Sequence, residues 1–236
     1  MSSNLETSSQ KFGMLAQLLS HPEASVYPHL LNGNFQNELA NCMLKTTGEP
    51  WALPIVNDKF IDFEVEYARL FLVGDRGKPL LSLEAGNHDV LNKGTGRPEF
   101  MINYINWYKH FGLALTSDDD SSEFPDHLVC ILEFIAWLIH LEAQADENSS
   151  LQIGYRKAQK DFIEKECLKF SALLRGKAQA MAMKDKIMPF FVALFNIIHG
   201  SLESRLVEIE AKLATVIDTN TVSENKADSK NVNLWG

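Results

Sequence analysis

Apolar residues along this chain recur at spacings of three and four, the period of an amphipathic helix, almost from its start to about position 217. Phe12, Leu15, Leu18 and Leu19 form a first stripe that stops at Pro22, and Phe35, Leu39 and Met43 form a second. Phe60, Phe63, Tyr67, Leu70 and Phe71 form a third, which ends at Gly74. Met101, Tyr104, Ile105 and Tyr108 share a face of a segment that opens with Pro98 and closes at Gly112. The broadest stripe is Leu128, Ile131, Leu132, Ile135, Leu138 and Ile139, ending near Glu142. Two long helix-favouring stretches follow, "QIGYRKAQKDFIEKECLKFSALLRG" and "AMAMKDKIMPFFVALFNIIHGSLESRLVEIEAKLATVI". In the latter, Pro189 marks a helix start or a kink, and His199 beside Gly200 predicts a helix end. No stretch alternates at period two, and the Asn-Gly pair of "LLNGNF" has helical flanks.

The pattern predicts an all-α protein, a single helical-bundle domain of about eight to ten helices over residues 1–217. Two subdomains, about 1–115 and 125–217, would hinge near 113–126. Two loops break the periodicity. "GDRGKPLLSLEAGNHDVLNKGTGRP", 74–98, is long and rich in glycine, and "TSDDDSSEFPD" spans 116–126. The polar residues 218–236 are expected to form a disordered tail.

Charge sharpens this picture. The net charge is −9 and unevenly spread: residues 1–150 carry 9 basic and 21 acidic side chains, and the remainder 13 and 10. An acidic half argues against nucleic acid and favours a cationic partner. The three cysteines, Cys42, Cys130 and Cys167, are widely spaced and fit a reducing, cytoplasmic setting. No secretory signal is expected from "MSSNLETSSQKFGML", and the apolar stretch 187–200 is shorter than a membrane span.

Catalytic chemistry finds little support. His88-Asp89 is the sharpest candidate, as in helical metal-dependent phosphohydrolases, but the doublet lies in a glycine-rich loop. Neither "GDRGK" nor "KGTG" has phosphate-loop spacing, and no nucleophile elbow is present. The more telling feature is the acidic turn before the greasiest helix. Asp126, preceded by Pro125, suits a helix N-cap or the residue beside it, yet Asp118, Asp119, Asp120 and Glu123 exceed what one cap needs. Acids beside aromatic residues suit a peptide that carries both arginine and apolar side chains.

Three stretches resemble the TorD/DmsD/NarJ family of cytoplasmic chaperones for molybdenum-containing oxidoreductases. They are "EVEYARLFLVG" (64–74), "FMINYINWYKHFGL" (100–113) and "EFPDHLVCILEFIAWLIHLE" (123–142). The family's proline-rich stretch after the first of these survives here only as Pro79 and Ser82. The resemblance implies an all-α chaperone without catalysis, cofactor or metal. It would bind the N-terminal, twin-arginine type leader of an apo molybdoenzyme catalytic subunit and hold that subunit for molybdenum cofactor insertion. It places Glu123, Pro125, Asp126 and His127 in the leader-binding region. Glu66, Tyr67, Phe71, Ser82, Trp107 and Tyr108 would line or support it. Domain exchange to a homodimer is compatible with such helices. The competing readings are the phosphohydrolase using His88 and Asp89, and a generic helical interaction protein.

Overall fold

The computed structural model describes residues 2–49, 51–54, 56, 59–74, 77–113 and 123–228, with side chains for those from 4 to 215. Among these residues the regular structure is helical, apart from one isolated antiparallel bridge. The all-α expectation is met.

The chain opens with α1 (Ser2–Leu19), whose Phe12, Leu15 and Leu19 are fully buried. A short α2 (Tyr27–Leu31), with Pro28 in its first turn, is too brief to show a period in the sequence. It is followed by α3 (Asn34–Thr47) and α4 (Phe60–Phe71). The glycine-rich loop holds a 3-10 turn (Ala85–Asn87) and the four-residue α5 (Asp89–Asn92). Then comes α6 (Arg97–His110), which stops where Gly112 takes φ 78° and lets Leu113 N–H reach back to the Tyr108 carbonyl.

The central helix is α7 (Leu128–Gln144). Every residue of its predicted stripe is 0% exposed, and Val129 and Phe134 are buried as well. Such a helix needs neighbours on several sides. Along it lie α1 and α8 (Ser150–Phe162), while α3 covers α1. From α8 the chain passes through a π-helical turn (Ile163–Cys167) into α9 (Leu168–Ala182), which packs on α10 (Pro189–Asp228).

Pro189 is the first residue of α10, where its missing N–H costs nothing. The helix end expected at His199-Gly200 does not occur: α10 runs straight through both residues. Gly200 serves packing there, because a Cβ on it would lie 3.3 Å from the Trp51 ring. His199 is buried, with Nδ1 2.9 Å from the Ser171 hydroxyl. The segment Pro189–Thr215 is long and apolar enough to cross a membrane, but 56% of its most apolar window is buried within the protein. Of the expected tail, 218–228 is helical backbone and 229–236 lie outside the described residues.

Two sets of contacts join the early helices to the late ones. Tyr67 donates its hydroxyl to the Leu19 carbonyl at 2.8 Å, closing the end of α1, and Phe63 stacks on Phe191 of α10 at 5.3 Å. Glu66 accepts from Met188 N–H at 3.1 Å, just before α10, and its partner Arg69 donates to the Lys186 carbonyl at 2.6 Å.

The second set is a buried ion cluster. Glu142, fully buried at the end of α7, accepts from Arg156 Nε at 2.8 Å, from Gln159 Nε2 at 2.9 Å and from the buried Arg205 guanidinium. One carboxylate therefore binds α7, α8 and α10 together. Burial, and then Arg205, pushes the nearby Lys11 ammonium down to about 8. Removing one member of a buried pair strands the others. Glu142→Leu is expected to cost about 3–5 kcal/mol, read as a lower urea midpoint at unchanged helical content.

Candidate functional site

The turn before α7 is tied down by backbone first. Leu128 N–H donates to the Leu83 carbonyl at 2.8 Å, and Ala85 N–H donates to the Asp126 carbonyl at 3.0 Å. These bonds form the bridge between Glu84 and His127. Tyr108 adds its hydroxyl to the Pro125 carbonyl at 2.6 Å. The glycine-rich loop is thus stitched to the head of α7, with α6 alongside.

Asp126 is 0% exposed, and its Oδ2 accepts from Gly86 N–H at 2.7 Å. Its Oδ1 is buried without a hydrogen-bond partner. A Cβ at Gly86 would stand 2.9 Å from Oδ2, which explains a glycine at that position. The N-cap is the next residue: His127 Nδ1 accepts from Val129 N–H at 3.3 Å. That assigns the imidazole proton to Nε2, which lies 3.6 Å from Glu123. Burial pushes the His127 imidazole down to about 4, so it is neutral at pH 7.

The acids that face outward are others. Glu123 is half exposed, and its carboxyl is raised by burial and then by the like charge of Glu84, with Glu133 adding to it and His21 opposing. Glu133, at the surface of α7, is also raised by partial burial. Glu84 pairs with Arg97, whose guanidinium lies 4.7 Å from the centre of the Phe124 ring. Phe124 is 50% exposed. Asp118, Asp119 and Asp120 lie outside the described residues, as does most of the expected hinge.

The structure therefore brings Glu123, Pro125, Asp126, His127 and Tyr108 together, with Ser82 beside them: the Ser82 hydroxyl accepts from Glu84 N–H at 3.3 Å. Tyr67 is buried, yet within electrostatic reach of Glu123, and His21 contacts its ring at 5.5 Å. Phe71 packs against Phe191 and Phe195, and Glu66 is engaged with the start of α10. Trp107 stacks on Phe111 and lines a separate shallow hollow of about 470 Å³ with Asn103, Asn106, His110 and Glu166. Sequence reasoning missed Glu84, Arg97 and Phe124. Their one visible signal was charge and an aromatic residue within the two irregular loops.

His88 offers a metal no free nitrogen. Nε2 donates to the Ser82 carbonyl at 2.9 Å, and Nδ1 accepts from the Lys177 ammonium at 3.1 Å. Among the described residues no three His, Cys, Asp or Glu side chains are grouped to hold a metal ion.

Two outcomes test this geometry. His127 binds its proton more weakly folded than unfolded, so stability is complete above about 6.5 and is lost as pH falls towards about 4, by up to about 3 kcal/mol. His127→Asn, which can still cap, should flatten that part of a pH–urea profile. Gly86→Ala should displace Asp126 and cost about 2–3 kcal/mol, seen in a thermal melt.

A profile of the family described as nitrate reductase delta subunit matches residues 53–175. The dimethyl sulfide dehydrogenase assembly chaperone protein of Rhodovulum sulfidophilum is 32% identical over 228 residues, 96% of this chain and 90% of its own. The perchlorate reductase assembly chaperone protein of Dechloromonas aromatica (strain RCB) is 29% identical over 150 residues, 64% of this chain and 62% of its own. The selenate reductase assembly chaperone protein of Thauera selenatis is 32% identical over 117 residues, 50% of this chain and 58% of its own. No solved structure matches significantly. The matched span contains the whole stitched unit of loop, turn and α7, and on these similarities the chain belongs to the nitrate reductase delta subunit family, that of the TorD and NarJ type assembly chaperones.

Proposed function

We propose that this protein is a cytoplasmic, non-catalytic chaperone. It binds the N-terminal leader of the apo catalytic subunit of a molybdenum oxidoreductase of the dimethyl sulfide dehydrogenase, perchlorate reductase and selenate reductase kind. It holds that subunit until the cofactor is inserted, and no bond is made or broken. The observation that carries this reading is the half-exposed Glu123 at the head of α7, on which two acids, Glu84 and Glu133, act and which only His21 opposes. Its carboxyl is held above the usual range, and that of Glu133 is raised by partial burial. Such carboxylates are stabilised by an arriving guanidinium.

Exposed apolar side chains are available for the rest of a leader. Phe124 is half exposed, and Ile61 and Val65 of α4, with Leu72 just after it, are exposed at helical spacing. Asp126 and His127 serve this face from beneath. They fix its backbone, and Glu123 meets the partner.

Glu123→Gln combined with Glu133→Gln should weaken binding of a twin-arginine leader peptide about 5- to 30-fold, at roughly 0.5–1 kcal/mol for each half-exposed pair. Calorimetry at low salt reads this, with circular dichroism confirming an unchanged fold. Wild-type affinity should fall as salt rises. Equal affinity for the double variant, or a flat salt response, refutes the reading.

A further inference from the structure

Arg97 is held in an unusual way for a surface arginine. It is the first residue of α6, where the helix dipole disfavours a cation. Its guanidinium pairs with Glu84 and lies over the Phe124 ring, 4.7 Å from the centroid. Its Nε is buried without an acceptor. Behind it, the space a Cβ at Gly86 would take is bordered by Asp126 Oδ2 and by Arg97 Cγ, and Asp126 Oδ1 is a second buried polar atom without a partner. Asp126 itself is 0% exposed.

These observations describe a cation site that is filled but incompletely satisfied. The site has the Glu84 carboxylate for a guanidinium and the Phe124 ring for its plane, Glu123 lies within electrostatic reach of Glu84, and the orphaned Asp126 oxygen is buried behind Gly86. Of the charged groups that act on Glu123, Glu84 and Glu133 are carboxyls and His21 alone opposes them. The arginine that occupies the site makes its contacts while sitting at an unfavourable helix terminus, directly after Gly94-Thr95-Gly96.

We propose that Glu84, Glu123 and Phe124 form an arginine subsite, and that the chain's own Arg97 fills it as an internal stand-in until an arginine of the partner's leader displaces it. This rests on the leader-binding reading above and names the chemistry at its centre. The subsite selects arginine over lysine, because only a planar guanidinium can stack on Phe124 while bonding to Glu84. Arg97 lowers the apparent affinity by occupying the subsite, so that weak cationic segments do not bind.

The test uses the full chain, the Arg97→Ala variant and three synthetic peptides. One carries two adjacent arginines before an apolar run, one carries two lysines there, and one carries two glutamines. By calorimetry, R97A should bind the arginine peptide about 3- to 10-fold more tightly than wild type, from the modest worth of a half-exposed ion pair and a cation–π contact. The lysine peptide should gain less, and the glutamine peptide nothing. Equal or weaker binding of the arginine peptide by R97A, with its helical signal intact, overturns the proposal while leaving leader binding in place. Failure of both proteins to bind the arginine peptide refutes the leader reading as well. Should R97A not fold, Arg97→Lys keeps the ion pair but loses the planar stack. It should show a smaller gain of the same sign, and no gain would overturn the proposal.

Discussion

The Asp126 carboxylate, at the head of α7, accepts the amide of Gly86, and with the two backbone bonds beside it fixes the glycine-rich loop to the bundle. Residues 77–96 are also held by Leu81 N–H on the Leu70 carbonyl and by Lys177 on His88, but this attachment is what sets Glu84 against the head of α7. With it, Glu84, Glu123 and Phe124 stand in one place. A charged hydrogen bond shielded from water is strong enough for this task, typically about 1.5–3 kcal/mol. It is also short enough to demand a residue without a Cβ opposite. Asp126, the acid the sequence sets at the head of the greasiest helix, is buried and shapes the surface on which Glu84 and Glu123 stand.

The attachment depends in turn on α7 staying where it is. Burial of an apolar side chain stabilises by about 1.5–3 kcal/mol, and α7 buries such side chains on several sides. The Glu142 cluster at the opposite end adds directional bonds to that packing, because the carboxylate is joined to Arg156, Gln159 and Arg205 at once. α7 is thus anchored by a carboxylate at each end: Asp126 holds the loop and Glu142 the later helices.

Buried and exposed acids therefore have separate roles. Asp126 and Glu142 are fully buried and act within the fold. Glu123 and Glu133 lie at the surface, with carboxyls raised by partial burial and, for Glu123, by neighbouring negative charge. Beside them Glu84 is paired with Arg97, whose guanidinium also lies over the Phe124 ring.

The sequence by itself determined the helices and their apolar faces. The stripes of α1, α4 and α7 were legible because a period of three or four residues places apolar side chains on one face whatever that face meets. The P-D-H turn was legible too, since proline and a capping residue act within a few positions of themselves. Only the tertiary structure decided which acid faces inward. Asp126 meets Gly86 across 40 positions, Glu142 meets Arg205 across 63, and Tyr67 meets Leu19 across 48. Within the unbroken α10, Trp51, far away in the chain, packs against Gly200, where a Cβ would lie 3.3 Å from its ring. Charge and periodicity are properties of neighbours along the chain, but burial and pairing are set by residues that only folding brings together.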